Sequence, residues 1–375
     1  MQKIIKKQRF APIALIILLL VTMFLSGGCS SSSATAADSA STDFEPYTIT
    51  DMGGREVTIE APIEKAYASN LIGILYIETM DISKLGGWTN ELSDSEKAYI
   101  PDEYEDLPML GGWSSANPTA NIEELVNADI DVILVTAIVS QKVIDMADNI
   151  QSQTGIPTVI VSSDLNSLGD AYTLLGTLFE EPDRGQELSD YCLESLAETK
   201  AMIDQVPDDE KVTVFYSEGT NGMETDPSGS MHTQAFDFVG AVNVADISEN
   251  TTNGLVGQSE VSMEQIITWN PQFIIRNSTY TEADPTAAVD EIMNNPDWAN
   301  IQAVKDGNVY QTPALPNNWI DRAPSVNRVL GVKWLADLFY PNYVDYDIHE
   351  EAKEFFSLFY NLNLSDEDLT TILGE

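Results

Sequence analysis

The sequence predicts an α/β protein of two lobes joined by a single long helix, and three observations carry that expectation. Short, β-branched apolar runs alternate with long helical patterns through most of the chain, the signature of largely parallel sheets covered by helices. A long amphipathic segment lies at the midpoint of the 375 residues. A helix-to-strand unit of the first half recurs 141 positions later in the second. Each half is therefore expected to form a Rossmann-like lobe, with a ligand cleft between the two.

Residues 1–28 read as an address rather than as part of the fold. Lys3, Lys6, Lys7 and Arg9 precede an apolar run from Ile13 to Leu25. That run is too short for a comfortable membrane span, and Ser26-Gly27-Gly28 put small residues before Cys29, as in a secretory signal. Residues 29–43 open with Cys29 and four serines and form a tether with nothing to bury.

The first lobe is expected over 44–167. Tyr47–Asp51 and Glu56–Ile59 alternate around Met52-Gly53-Gly54-Arg55 and predict a β-hairpin. Val132–Val135 and Thr158–Val161 are its further strands. An interlobe segment follows over 168–206, in which Leu188, Tyr191, Cys192, Leu193, Leu196 and Met202 recur at helical spacing until Val206-Pro207 stops the helix. The second lobe is expected over 207–375, with strands at Val212–Phe215 and Phe273–Ile275. The duplicated unit runs from Asn121-Ile122-Glu123-Glu124-Leu125 through Asp129 to Val132. Its counterpart runs from Ser262-Met263-Glu264-Gln265-Ile266 through Asn270 to Phe273.

Composition narrows the partners. The chain holds 18 Lys plus Arg against 60 Asp plus Glu, a formal charge of −42. A polyanion is repelled by such a surface, which argues against nucleic acid. Apart from Cys29 the only cysteine is Cys192, so the folded part has no internal disulfide. His232 and His349 are the only histidines, too few for a nitrogen-rich zinc or manganese site. No Gly-x-Ser-x-Gly elbow, His-Glu-x-x-His motif or phosphate-cradling loop marks an enzyme.

Taken in order, these segments resemble the periplasmic binding proteins for iron-siderophore, haem and cobalamin uptake. Thr50-Asp51-Met52-Gly53-Gly54-Arg55 looks like their opening hairpin, and Gly111-Gly112-Trp113 leading to Asn121-Ile122-Glu123 resembles their first-lobe segment. Val261-Ser262-Met263-Glu264-Gln265 with Trp269-Asn270-Pro271 resembles the matching second-lobe segment. Trp319 with Pro324-Ser325-Val326-Asn327-Arg328 is similar to a branch that includes molybdate and tungstate binders. The resemblance implies an extracytoplasmic substrate-binding component of an ABC importer, with a separate permease and ATPase and no cofactor. It also implies docking of Glu123 and Glu264, one on each lobe, onto the permease. The residues before Cys29 resemble a lipobox, which implies a monomer tethered to the membrane by a lipidated Cys29; Leu25 stands one position further from the cysteine than the usual pattern.

Ligand residues are expected on loops at the strand ends that face the cleft. In the first lobe these are Ser69, Asn70, Trp113, Ser114 and Thr136. In the second they are Tyr216, Met231, His232, Arg276, Trp319 and Arg322. Arginine is scarce, and its fork suits a carboxylate or oxyanion. Trp113 and Trp319 either face a flat ligand or pack in a core, and His232 is either a structural hydrogen-bonder or an axial contact to haem. An iron complex ranks first as ligand on family frequency, ahead of molybdate or tungstate, haem and cobalamin. An extracytoplasmic enzyme and an adhesion lipoprotein are the readings of other classes.

Overall fold

The computed structural model describes residues 44–113, 119–245, 247, 258–277 and 287–375. The expected signal, the tether, Cys29 and Ser114 lie outside those residues. Among the described residues no helix is long and apolar enough to cross a membrane.

The alternating start does form a hairpin, with β1 (Tyr47–Thr50) antiparallel to β2 (Glu56–Ile59). Ile49, Val57 and Ile59 point inward while Thr48, Glu56 and Thr58 stay exposed. The turn between them is a docking device. Buried Asp51 accepts the N–H groups of Gly53 and Arg55, each at 2.9 Å, and that of Ile160 in the first sheet at 3.1 Å. A Cβ on Gly53 would stand 2.7 Å from Ile160, so only glycine lets the turn approach this closely.

The first lobe continues with β3 (Ala66–Ala68), α1 (Leu71–Asp81), two short helices α2 (Asp94–Lys97) and α3 (Asp102–Glu105), α4 (Ile122–Asn127), β4 (Val132–Ala137), α5 (Gln141–Thr154) and β5 (Thr158–Ser162). Its sheet is parallel in the order β3-β4-β5. Helices α6 (Leu168–Leu178) and α7 (Pro182–Ile203) fill the interlobe segment. Helix α7 is 22 residues long and opens on Pro182, whose missing N–H has no helical partner at that position. Gly185 lies so close to Gly176 that a Cβ there would be 2.6 Å from the Gly176 Cα, which fixes how α6 and α7 meet.

The second lobe holds β6 (Thr213–Ser217), β7 (Glu224–Thr225), α8 (Gln234–Phe238), β8 (Val242–Asn243), β9 (Ser259–Glu260), α9 (Met263–Trp269), β10 (Phe273–Arg276), α10 (Ala287–Asn294), α11 (Gln302–Asp306) and β11 (Val309–Gln311). Its parallel sheet runs β11-β10-β6-β8. The order β6-β10-β11 thus repeats β3-β4-β5. Even the turn into the middle strand recurs, since Asp129 and Asn270 both adopt left-handed φ, 54° and 44°. The chain ends with α12 (Arg328–Phe339), α13 (Ile348–Tyr360) and α14 (Asp366–Leu373).

Side-chain alternation divides the core. Tyr67, Ile133, Val135 and Ile160 cover the α4–α5 face of the first sheet, and Phe215 and Ile274 cover the α9–α11 face of the second. The opposite faces, with Val132, Leu134, Val159, Val161, Val214, Tyr216 and Ile275, belong to one apolar group that also takes in α1, α6, α7, α12 and α13. Phe359 of α13 meets Tyr172 of α6 and Tyr191 of α7 at 5.6 and 5.4 Å between ring centroids. Arg184 of α7 donates to the carbonyls of Thr79 on α1 and Leu358 on α13. The last helices therefore pack on the interlobe helices and on the first lobe, as well as on the second.

Candidate functional site

The loops that follow strands of the two parallel sheets carry the predicted residues, and in open α/β sheets the ligand crevice forms at such strand ends. On the first lobe Ser69 follows β3 and Asn70 caps α1, its Oδ1 accepting the Gly73 N–H at 3.3 Å. Thr136 at the end of β4 donates to the same Oδ1 at 2.5 Å, and Asn70 Nδ2 returns a bond to the Thr136 carbonyl at 2.8 Å. These two predicted residues are thus brought together and hold each other. Ser69 is fully buried, and among the described residues its hydroxyl has no hydrogen-bond partner; the same is true of the Ser163 hydroxyl just after β5. Trp113 is partly buried against the α4–α5 core, and its backbone N–H donates to the Ser69 carbonyl at 2.7 Å.

The second lobe gathers a charged centre. Arg322, with left-handed φ of 52°, donates from Nε to Glu218 Oε1 at 2.8 Å and from Nη2 to Asp226 Oδ2 at 2.6 Å. Nδ1 of His232 lies 2.6 Å from Asp321 Oδ1, and the Tyr216 hydroxyl donates to Asp321 Oδ2 at 3.4 Å. Predicted Tyr216, His232 and Arg322 are thus assembled around three carboxylates, Glu218, Asp226 and Asp321, that sequence reasoning missed. Exposure is divided unequally. The three carboxylate side chains are at 0 %, whereas those of His232 and Arg322 are at 16 % and 29 %. The acids orient from behind; the bases face outward.

That arrangement sets the protonation states. Burial pushes Glu218 up to about 7, against the pull of Arg322 and with added repulsion from Asp226. Burial alone would lower His232, but the Asp321 carboxylate outweighs it and the net shift is upward. Arg322 loses hydration on burial yet is held protonated by Asp321 and Glu218.

Two predicted ligand residues are covered. Arg276 is buried at the end of β10, and its guanidinium donates to the carbonyls of Ser217, Asn277 and Gly219, two of which flank Glu218. Trp319 is also a correction. It is fully buried against Phe356 of α13, with Nε1 on the Leu315 carbonyl at 3.3 Å, so it packs in the core while Asp321 and Arg322 of the same loop reach the charged centre. Met231 is partly buried on the large core beside His232. Glu123 and Glu264 are exposed in the first turns of α4 and α9, and among the described residues their carboxylates form no hydrogen bond.

The family described as periplasmic binding protein matches residues 77–315, a span that runs from α1 through β11. The chain belongs to that family. This periplasmic binding protein is a solute-binding protein of the kind that serves ABC transporters. It is 27 % identical over 350 residues to the molybdate-binding protein MolA of Haemophilus influenzae, covering 85 % of this chain and 92 % of that one. It is 21 % identical to the iron-uptake system-binding protein of Bacillus subtilis, covering 81 % and 92 %. Its fold is similar to an ABC transporter solute binding protein of Sulfurospirillum deleyianum, with TM-score 0.78, 27 % identity and coverage of 88 % and 99 %. The molybdate-bound structure of H. influenzae MolA matches with TM-score 0.65 at 25 % identity over 85 % and 99 %.

Proposed function

We propose that this binding protein captures a small tetrahedral oxyanion of the molybdate class outside the cytoplasm and delivers it to an ABC permease. The observation that carries the reading is the outward placement of Arg322 and His232 over buried carboxylates. An anion entering there meets the Arg322 guanidinium and the His232 imidazole, whose charged form Asp321 favours, both held in orientation by Glu218, Asp226 and Asp321. The unpartnered hydroxyls of Ser69 and Ser163 and the amino end of α1 supply neutral donors on the first lobe, suited to oxygen ligands. The similarity to MolA supports the same ligand class. Among the described residues no group of three or more His, Cys, Asp and Glu is arranged to hold a bare metal ion. Anchoring through lipidated Cys29 belongs to the same proposal and keeps the protein beside its permease.

The test is calorimetry of the 44–375 protein against molybdate, tungstate, sulfate, ferric hydroxamates, haem and cobalamin. Molybdate and tungstate are expected to bind, and ligand at one hundred times Kd to stabilise the fold by about 2.7 kcal/mol. Arg322→Ala is expected to weaken oxyanion binding at least about a hundredfold, the loss of a charged hydrogen-bonding partner worth about 3 kcal/mol. Binding of an iron chelate with no response to either oxyanion overturns the reading.

A further inference from the structure

Arg322 already has one flank filled. Glu218 Oε1 and Asp226 Oδ2 take its Nε and Nη2, and Asp321 Oδ2 stands 3.4 Å from Nε. An oxyanion settling on the open side adds negative charge to a centre that holds three fully buried carboxylates. With water excluded, such charges interact far more strongly than at a surface. One atom is placed to relieve this. Glu218 Oε2 is buried, has no hydrogen-bond partner, and belongs to a carboxylate that shares Arg322 with Asp226. Two carboxylates side by side in a dry site readily hold one proton between them.

We propose that the binding protein takes up its oxyanion together with one proton, which Glu218 holds beside Asp226 and behind Arg322 while the ligand is bound. This rests on the oxyanion reading of the site. The proton comes from solvent and adds to Glu218 Oε2; no bond of the ligand is made or broken. Burial pushes Glu218 up to about 7 against the pull of Arg322, so the added charge of a ligand is enough to complete its protonation. Of the other groups facing it, His232 is drawn toward its charged form by Asp321, buried Tyr216 stays neutral, and Arg276 on the neighbouring strand spends donors on carbonyls. Glu224 faces Glu218 through backbone pairing, and Gln258 donates to Oε1 at 3.1 Å. A centre built this way selects ligands that arrive fully ionised, because a neutral or cationic chelate brings no charge for the proton to balance.

The experiment is titration calorimetry of the 44–375 protein with molybdate in Hepes and in Tris, whose ionisation enthalpies differ. Net proton uptake is expected near neutrality, with Kd rising toward about tenfold per pH unit above about pH 7. Glu218→Gln, which fixes the neutral form, is expected to bind molybdate with equal enthalpies in the two buffers and a flat pH profile. Asp226→Asn, which removes the other half of the pair, is expected to lessen the uptake. Equal enthalpies in the unmodified protein, or an unchanged pH slope in Glu218→Gln, overturn the proton linkage alone. Absence of any molybdate or tungstate binding overturns the oxyanion reading and the linkage with it.

Discussion

Glu78 shows how a single side chain escapes a reading of the sequence and still governs stability. It is the only charged residue in the apolar stretch of α1 before Asp81, and it faces Trp88, Leu92, Tyr99 and Glu96 across a small pocket. Burial, then the Glu96 carboxylate, push it up from 4.5 to about 8. A carboxylate with a raised folded-state value binds its proton more tightly when folded. Stability from that proton is present below about 4.5 and is lost as pH rises toward 8. Glu78→Gln is therefore expected to stabilise the protein by about 1–3 kcal/mol near neutrality and by little in mild acid, read from urea unfolding at both conditions. A destabilised variant at neutral pH contradicts this. Within the site, Arg322 and His232 were legible because Arg and His are scarce, whereas Glu218, Asp226 and Asp321 were hidden among 60 acidic residues. Nothing in the sequence separates those three until the fold removes them from water. For Trp319 the sequence left ligand contact and core packing open, and the fold covers it; Arg276, at a strand end that the sequence places beside the cleft, is covered as well.

At the scale of elements, the duplicated unit was legible because its signals are local. Asn121 and Ser262 cap α4 and α9 through side-chain oxygens, and the left-handed Asp129 and Asn270 turn each helix into its strand. The two helices also match in what they leave uncovered. Val126 and Ile267, one turn beyond Glu123 and Glu264, are exposed at 50 % and 42 %. Each lobe thus presents a carboxylate beside an apolar side chain, a pairing suited to contact with a basic, partly apolar surface. We propose that these faces meet the permease. Glu123→Ala combined with Glu264→Ala is expected to abolish uptake in cells while leaving the ligand affinity of the purified protein unchanged. Uptake at the unmodified rate refutes the docking assignment.

The whole molecule is more closely knit than its chain order suggests. Two lobes were readable from alternation and repetition, but their shared core was not, since it depends on which faces the last helices cover. Arg328 is its polar counterpart. Fully buried at the start of α12, it donates to the Ser163 carbonyl of the first lobe, to Gln234 Oε1 of the second at 2.6 Å, and to the Ser325 carbonyl at 3.2 Å. Gln234 in turn donates to Asp164 Oδ2 at 2.8 Å. Burial lowers the Arg328 guanidinium to about 10, so it stays charged at neutral pH. Arg328→Met keeps the volume and leaves those acceptors without donors. It is expected to cost about 3 kcal/mol in chemical denaturation, and a loss below about 1 kcal/mol refutes the bridging role.

The seat of Phe359 against Tyr172 and Tyr191 also has a consequence for biogenesis. The aromatic surface on α6 and α7 leaves the ribosome well over a hundred residues ahead of the helix that covers it. Throughout that interval Tyr76 of α1 covers only part of Tyr172, so the nascent chain shows water an oily stripe on which a holding chaperone has its natural grip until synthesis reaches α13.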